Sequence, residues 1–322
     1  MRDRRPGALC ERVGPGRWSR GASGGGIDVG SSENAPGSGR VRVVTDSLAW
    51  LPQAAVDAYG IRVVPLHVSF GDEQFTETVD LTNEEFYQRL RAGGKPTTSQ
   101  PSPGEFLDAY TDLARDADAV ISIHASAKLS GTFQSATIAA ATARGNFPGV
   151  RFEVFDTQLV APAQGMVVIH VARSLAAGMS VDDAMAEAAR IAPRLHAMFV
   201  PDTIEYLVRG GRVSRFQGFV GGLLNLRPIL HLDGGLVVPR DRVRTRARSI
   251  ERLVALVAED APSGRLGHVG LMHAEAPDAR DELRRQMAAR FEVAEWLEVE
   301  IGPVLGTHAG PGAIGVTWHE AD

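Results

Sequence analysis

Four stretches of the chain combine hydroxyls, glycines, imidazole or guanidinium groups at spacings that suit ligand chemistry. TTSQPSPG (97–104) places a run of hydroxyls among three prolines that fix the backbone around them. Ser102 reads as the cap of a helix opening at Pro103, with Glu105 in its first turn. Thr98 and Ser99 carry no such duty, and Ser99 in particular is free to face a ligand. SAKLSGTFQSA (126–136) is a loop entering a helix. There Ser130 or Thr132 serves either as a plain cap or as part of an anion site, since a helix start exposes N–H donors and a positive dipole end. DTIEYLVRGGRVS (202–214) sets Gly210-Gly211 between Arg209 and Arg212. These guanidinium groups are either solvated or aimed at a phosphate or an acidic partner. IGPVLGTHAGPGAIGV (301–316) puts His308 just ahead of Gly310 and Gly312, in a stretch that reads as a glycine-rich loop able to bring backbone close to a ligand.

Gly310 to Gly315 satisfies G-x-G-x-x-G, but only seven residues follow, leaving no room for the helix and distant acid of a dinucleotide site. No H-E-x-x-H pair or Walker A sequence occurs, and the one G-x-S-x-G match, Gly21 to Gly25, lies in a glycine-rich stretch that does not read as the helix a nucleophile elbow needs after it. Cys10 is the sole cysteine, which excludes an internal disulfide or a cysteine metal cluster. His268 and His273 are five apart on an expected strand, hence on opposite faces, so no shared metal and no cofactor is expected.

The elements that must position these groups alternate. Short β-branched runs at 41–45, 61–70, 119–124 and 151–155 read as buried strands, with Pro65 bending the second. Helices are expected over 83–90 (capped by Asn83), 103–115 and 130–144, which makes βαβ units and a mostly parallel sheet. Helices at 162–177 and 181–193 follow. The second half mixes a strand at 196–200, a hairpin over 227–239 turning at Asp233-Gly234-Gly235, and helices at 247–258 and 277–289. Strands at 265–273, 293–300 and 313–318 complete it. The expected architecture is therefore two α/β domains, 41–175 with a mostly parallel sheet and 176–322 with a mixed one.

Residues 1–40 stand apart. They are rich in Gly, Ser, Pro and Arg, lack an apolar period, and carry seven arginines against four acids. Such a stretch is expected to be a disordered leader or an upstream start included by mistake. The whole chain carries −5, which argues against non-specific nucleic-acid binding. It has no apolar run of membrane-spanning length and no secretory core near its start, so a cytoplasmic protein without stable membrane insertion is expected.

Taken in order, VVTDS (43–47), VPLHVSFGD (64–72), EEFYQRL (84–90), TTSQPSPGEF (97–106), LSGTFQSA (129–136), TIEYLVRGGRVS (203–214), LLNLRPIL (223–230) and GTHAGPGAIGV (306–316) resemble the DegV family. That family includes the FakB subunit of bacterial fatty acid kinase. The resemblance implies two α/β domains with a lipid tunnel between them and a long-chain fatty acid as ligand. Its carboxylate would be held at Ser99 and Thr98 of the TSQPS loop, at His308 of the GTHAGPG loop, and at His67 of the VPL-x strand, where relatives often carry Thr. From the residues themselves, Ser130, Thr132, Gly310 and Gly312 are expected to support the head group, and Arg209 and Arg212 to lie near the tunnel mouth and help dock a partner. The implied partner is a separate ATP-binding kinase subunit, so the chain itself is expected to be a carrier with no catalytic residue.

Burying an acyl chain releases about 0.8 kcal/mol per CH₂, or about 12 kcal/mol gross for a tail of roughly 16 to 18 carbons. The carboxylate is the costly end, and hydroxyl and imidazole donors answer it. Two other readings stay open on sequence alone: an acyl hydrolase or transferase using Ser99 with His308, and a lipid-sensing module with no kinase partner.

Overall fold

The computed structural model describes residues 16–20, 40–212 and 226–321. Strand β1 (Gly16–Arg20) is followed by β2 (Val41–Asp46), helix α1 (Gln53–Tyr59), β3 (Arg62–Val64), β4 (His67–Phe70), β5 (Glu73–Thr76) and α2 (Asn83–Arg91). Then come β6 (Thr97–Ser99), α3 (Pro103–Ala114), β7 (Ala119–His124), α4 (Thr132–Asn146), β8 (Arg151–Asp156), α5 (Ala161–Ala176) and α6 (Val181–Ile191). The second half contains β9 (His196–Val200), α7 (Glu205–Arg209), β10 (Arg227–Asp233), β11 (Leu236–Val243), α8 (Arg246–Asp260) and β12 (Arg265–His273). It ends with α9 (Pro277–Arg290), β13 (Glu292–Glu300), α10 (Pro303–Ala309) and β14 (Ile314–Glu320).

The N-terminal half is built on a four-stranded sheet, β3-β2-β7-β8, parallel throughout. Every residue of β7, AVISIH, is buried, as in a strand covered on both faces, its two polar members Ser122 and His124 included. Phe106 and Tyr110 of α3 and the small face of α4 (Ala136, Ala139, Ala140, Ala143) pack on one side. The chain leaves β2 for β3 on one flank and returns to β7 on the other. The carboxyl ends of β2 and β7 therefore border the crevice where α/β sheets bind ligands.

Pro65 splits the expected 61–70 strand. Residues 62–64 stay in the parallel sheet and 67–70 join an antiparallel sheet of three, β5-β4-β6. The C-terminal half has a seven-stranded mixed sheet, β1-β13-β12-β14-β9-β10-β11, in which β12 and β13 run parallel. One hydrophobic cluster runs across both halves, from Val43 and Ile121 through Val167 of α5 to Leu297 and Val299. Helix α5 ends at the expected domain junction and touches both sheets. No helix among the described residues is long and apolar enough to cross a membrane.

Three expectations need correction. The α2 cap is Thr82, not Asn83: its hydroxyl accepts from Glu85 N while the Glu85 carboxylate accepts from Thr82 N, a reciprocal capping box. The stretch taken as a glycine-rich loop contains helix α10, opened by Pro303 at its first position. Within the expected leader, Gly16–Arg20 forms an edge strand antiparallel to Glu295–Val299. Backbone pairing alone suffices for an edge strand, so apolar periodicity did not flag it. The remainder of 1–39 lies outside the described residues, as do the ends of two sequence motifs at 213–214 and 223–225.

Candidate functional site

A cleft opens between the halves. Its apolar wall comes from Leu48 and Leu66 after β2 and β3, from Leu129, Val160 and Ala161, and from Ile301, Val304 and Leu305 around α10. The mixed sheet contributes Ala197, Phe199, Leu232, Val237, Met272 and Thr317. Phe199 lies opposite Gly315 and Ala197 opposite Thr317, so the lining continues two residues, about 7 Å, along the strands away from α10. Thr317 is buried and donates its hydroxyl to Met166 Sδ at 3.7 Å.

Polar groups gather around α10 and the loops facing it. Thr98, Ser99, Gln100, Ser130, Arg212 and His308 all line the cleft. His308, on the last turn of α10, has its Nε2 2.9 Å from Thr98 Oγ1. Its Nδ1 is buried without a hydrogen-bond partner. Burial, reinforced by the nearby Arg212 guanidinium, pushes the imidazole down to about 4, so it is neutral at physiological pH. Arg212 is anchored by two backbone carbonyls, Leu129 O at 3.2 Å and Gly210 O at 2.6 Å. Gly210 has no side chain because a Cβ there would overlap the His308 ring. Ser130 Oγ lies 2.8 Å from Thr132 Oγ1 and accepts from Thr132 N at 3.3 Å, which turns the chain into α4. Neither residue is the α4 cap, which is Gly131 with no side-chain bond. Such a set offers hydroxyl donors, one guanidinium charge and a neutral imidazole, which is chemistry for holding a carboxylate.

The predicted residues thus separate into two groups. Thr98, Ser99, Ser130 and His308 converge on the cleft, and Arg212, expected at a docking surface, joins them in the wall. His67 does not. It stands opposite Ser99 in the β4–β6 pair, but its Nε2 is 2.7 Å from Glu105 Oε1, a partner across the α3 cap. Thr132 is buried behind Ser130. Arg209 pairs with Glu205 at 2.6 Å and lies over the Tyr206 ring. Gly310 and Gly312, at φ 73° and 80°, occupy backbone open mainly to glycine and pack on Tyr206 and Asp202.

Two groups were missed. Gln100 lines the cleft and packs against Gly131. A wholly buried polar chain runs Tyr110–Ser122–His124–Asp46: Tyr110 Oη to Ser122 Oγ 2.7 Å, Ser122 Oγ to His124 Nε2 2.6 Å, His124 Nδ1 to Asp46 Oδ2 2.9 Å. It has the order of a Ser-His-Asp triad, but its members are at most 1% exposed, which leaves substrate no access. Only their neighbouring loops reach the cleft.

A family model for DegV, described as an uncharacterised protein family, matches residues 40–321. The chain belongs to the DegV family. Protein DegV of Bacillus subtilis is 35% identical to this DegV chain over 280 residues, 86% of this chain and 98% of that one. Among solved structures, a DegV family protein from Thermus thermophilus described by its fatty acid binding is 36% identical. It superposes with a TM-score of 0.82 over 88% of this chain and 100% of its own. DegV from Bacillus subtilis, a fatty acid binding protein, is 34% identical with a TM-score of 0.79, over 88% of this chain and 100% of its own. The mixed α/β DegV fold expected from the sequence is thus the observed one.

Proposed function

We propose that this DegV chain holds a long-chain fatty acid in the cleft, tail against the mixed sheet and carboxylate among Thr98, Ser99, Ser130, Arg212 and His308. The observation that carries the reading is the division of one cleft into an apolar length and a single polar end, in a family whose solved members include fatty acid binding proteins. An anionic head needs charge-assisted donors once it leaves water, and among the described residues Arg212 supplies the one full charge in the wall.

The finer reading is that the chain is a carrier, presenting the carboxylate to a separate ATP-dependent fatty acid kinase subunit. It is supported by the resemblance of the TTSQPSPGEF and GTHAGPGAIGV segments to the FakB subunit and by the exposure of Ser99 and Gln100 at the polar end, which leaves the head group within reach of a partner. Ser99→Ala tests the reading: fatty-acid occupancy should fall with the melting temperature unchanged, and acyl-phosphate formation with an added kinase subunit should fall in parallel. Unaltered occupancy in that variant would contradict the head-group assignment.

A further inference from the structure

His308 rides on a helix that cannot cap itself. Position 302, the α10 cap, has no side chain, and a Cβ there would overlap the Trp50 ring and Asn83 Oδ1. The usual Ser, Thr, Asp or Asn cap is therefore sterically excluded. The acceptor comes instead from the other half of the molecule. Glu77 Oε1 accepts from Val304 N at 2.7 Å, across 227 residues of sequence. Its Oε2 accepts from Ser47 Oγ at 2.5 Å, and Ser47 Oγ in turn accepts from Leu66 N at 3.1 Å. Glu77 is fully buried. One carboxylate thus ties together three segments whose neighbours Leu48, Leu66 and Val304 line the cleft.

We propose that Glu77 is the positioning residue for the His308 helix, and that its ionisation state sets how firmly the polar end of the cleft retains a carboxylate ligand. The ligand part of this statement rests on the fatty-acid reading above. Ionised, Glu77 offers both oxygens as acceptors to Val304 N–H and Ser47 O–H, and charge-assisted bonds of that kind are about twice as strong as neutral ones. Protonated, it gives up one acceptor and weakens the hold on the first turn of α10. His308 lies four residues, about 6 Å of helical rise, beyond Val304, so loosening the first turn moves the imidazole relative to Thr98.

Among the described residues, the groups facing Glu77 leave its charge without a cationic partner. Asp46 approaches from the end of β2 and is itself bonded to His124. Tyr87 of α2 donates to Ile301 O at 2.9 Å, and Glu275 and Glu300 lie beyond it. Burial first, and Asp46 after it, push the Glu77 carboxyl up to about 7 against the Ser47 and Val304 hydrogen bonds, so the switch falls near neutrality. His308, near 4, does not titrate in the same window.

The test compares the full-length wild type, Glu77→Gln, Glu77→Ala and Ser47→Ala by calorimetric titration with palmitate, alongside histidine ring resonances of the ligand-free proteins. Wild-type affinity is expected to rise roughly threefold to tenfold between about pH 6 and about pH 8, as the carboxyl ionises. Glu77→Gln should stay flat near the wild type's acid limb with His308 signals close to native, whereas Glu77→Ala should displace those signals and bind more weakly. Ser47→Ala retains the carboxyl but removes a bond that favours its ionised form, so the midpoint of its pH profile should move upward; this holds even if Glu77→Ala fails to fold. A wild-type slope in Glu77→Gln, or native binding and native His308 signals in Glu77→Ala, would overturn the proposal. If the wild type takes up no palmitate at any pH while His308 signals still depend on residue 77, the fatty-acid reading fails and the positioning role stands.

Discussion

Thr98 and His308 are 210 residues apart in the chain, and the hydroxyl of one lies 2.9 Å from the imidazole Nε2 of the other. That bond closes the polar end of the cleft, because Thr98 belongs to the antiparallel sheet of the first half and His308 to the helix that precedes the last strand. It also orients the imidazole. With Nε2 engaged by Thr98, the nitrogen left over, Nδ1, has no partner of its own. A Ser99–His308 hydrolytic pair gains no support from this arrangement.

Replacing Thr98 by Val removes the hydroxyl and keeps the branched shape that packs beside Val68. We expect fatty-acid affinity to fall by roughly fivefold to tenfold, the equivalent of about 1 kcal/mol for one hydrogen bond, and the melting temperature to drop as well because the buried His308 Nε2 loses its partner. Calorimetric titration checks it; an unchanged dissociation constant would detach Thr98 from the head-group site.

His308 also carries an acid-stability signature. Its folded value, near 4, lies below the ordinary 6.5, so its contribution to stability is present above about 6.5 and is lost as pH falls towards 4. His308→Gln should therefore lose less stability than the wild type between those limits, by up to about 3 kcal/mol. Urea unfolding at the two pH values measures the difference, and equal acid sensitivity in both proteins would contradict it.

Glu77 predicts the opposite slope. Its value is raised from 4.5 to about 7, so the stability it contributes is complete below about 4.5 and is lost as pH rises through 7. The wild type should lose about 3 kcal/mol more than Glu77→Gln on going from acid to mildly alkaline solution. Parallel pH dependences of the two melting temperatures would show that the buried carboxyl does not titrate there.

The buried Asp46 is a scaffold residue. It accepts from Leu48 N, Ala125 N, His124 Nδ1 and Gln164 Nε2, so removing it strips partners from four donors. Asp46→Ala should destabilise the protein by about 3–5 kcal/mol, as breaking a buried polar pair does. Denaturant unfolding measures the loss; a change below about 1 kcal/mol would remove Asp46 from the framework.

Ala197 sets room at the far end of the cleft, opposite Thr317. Ala197→Leu places three more carbons there, which at about 0.8 kcal/mol per CH₂ should shift preference towards chains roughly three methylenes shorter. Competition between saturated fatty acids of different length reads this directly, and an unmoved preference would place the tail elsewhere.

Much of this was legible in the sequence because it rests on local rules. Ser102 caps α3 as expected, with Glu105 in its first turn, and the buried strand β7 lies in the parallel sheet. Other features depend on contacts that no local pattern carries. Glu105 bonds Ser102 with one oxygen and His67 with the other, and that second contact withdraws His67 from the cleft. Glu77 sits in FTETVDLT, which reads as a solvated stretch until the first turn of α10 meets it. Gly302, Gly306 and Gly310 suggested a loop, yet they recur every four residues. Each takes an aromatic neighbour where a side chain would stand: Trp50, Tyr87 with Phe86, and Tyr206. That period was the available signal for a helix.

Native mass spectrometry of the purified chain, with identification of any small molecule released, tests the central claim most directly. The account predicts a one-to-one adduct with the mass of a long-chain fatty acid, retained by the wild type and depleted in Ser99→Ala. A ligand-free mass that persists after incubation with fatty acids of varied length and unsaturation would contradict it.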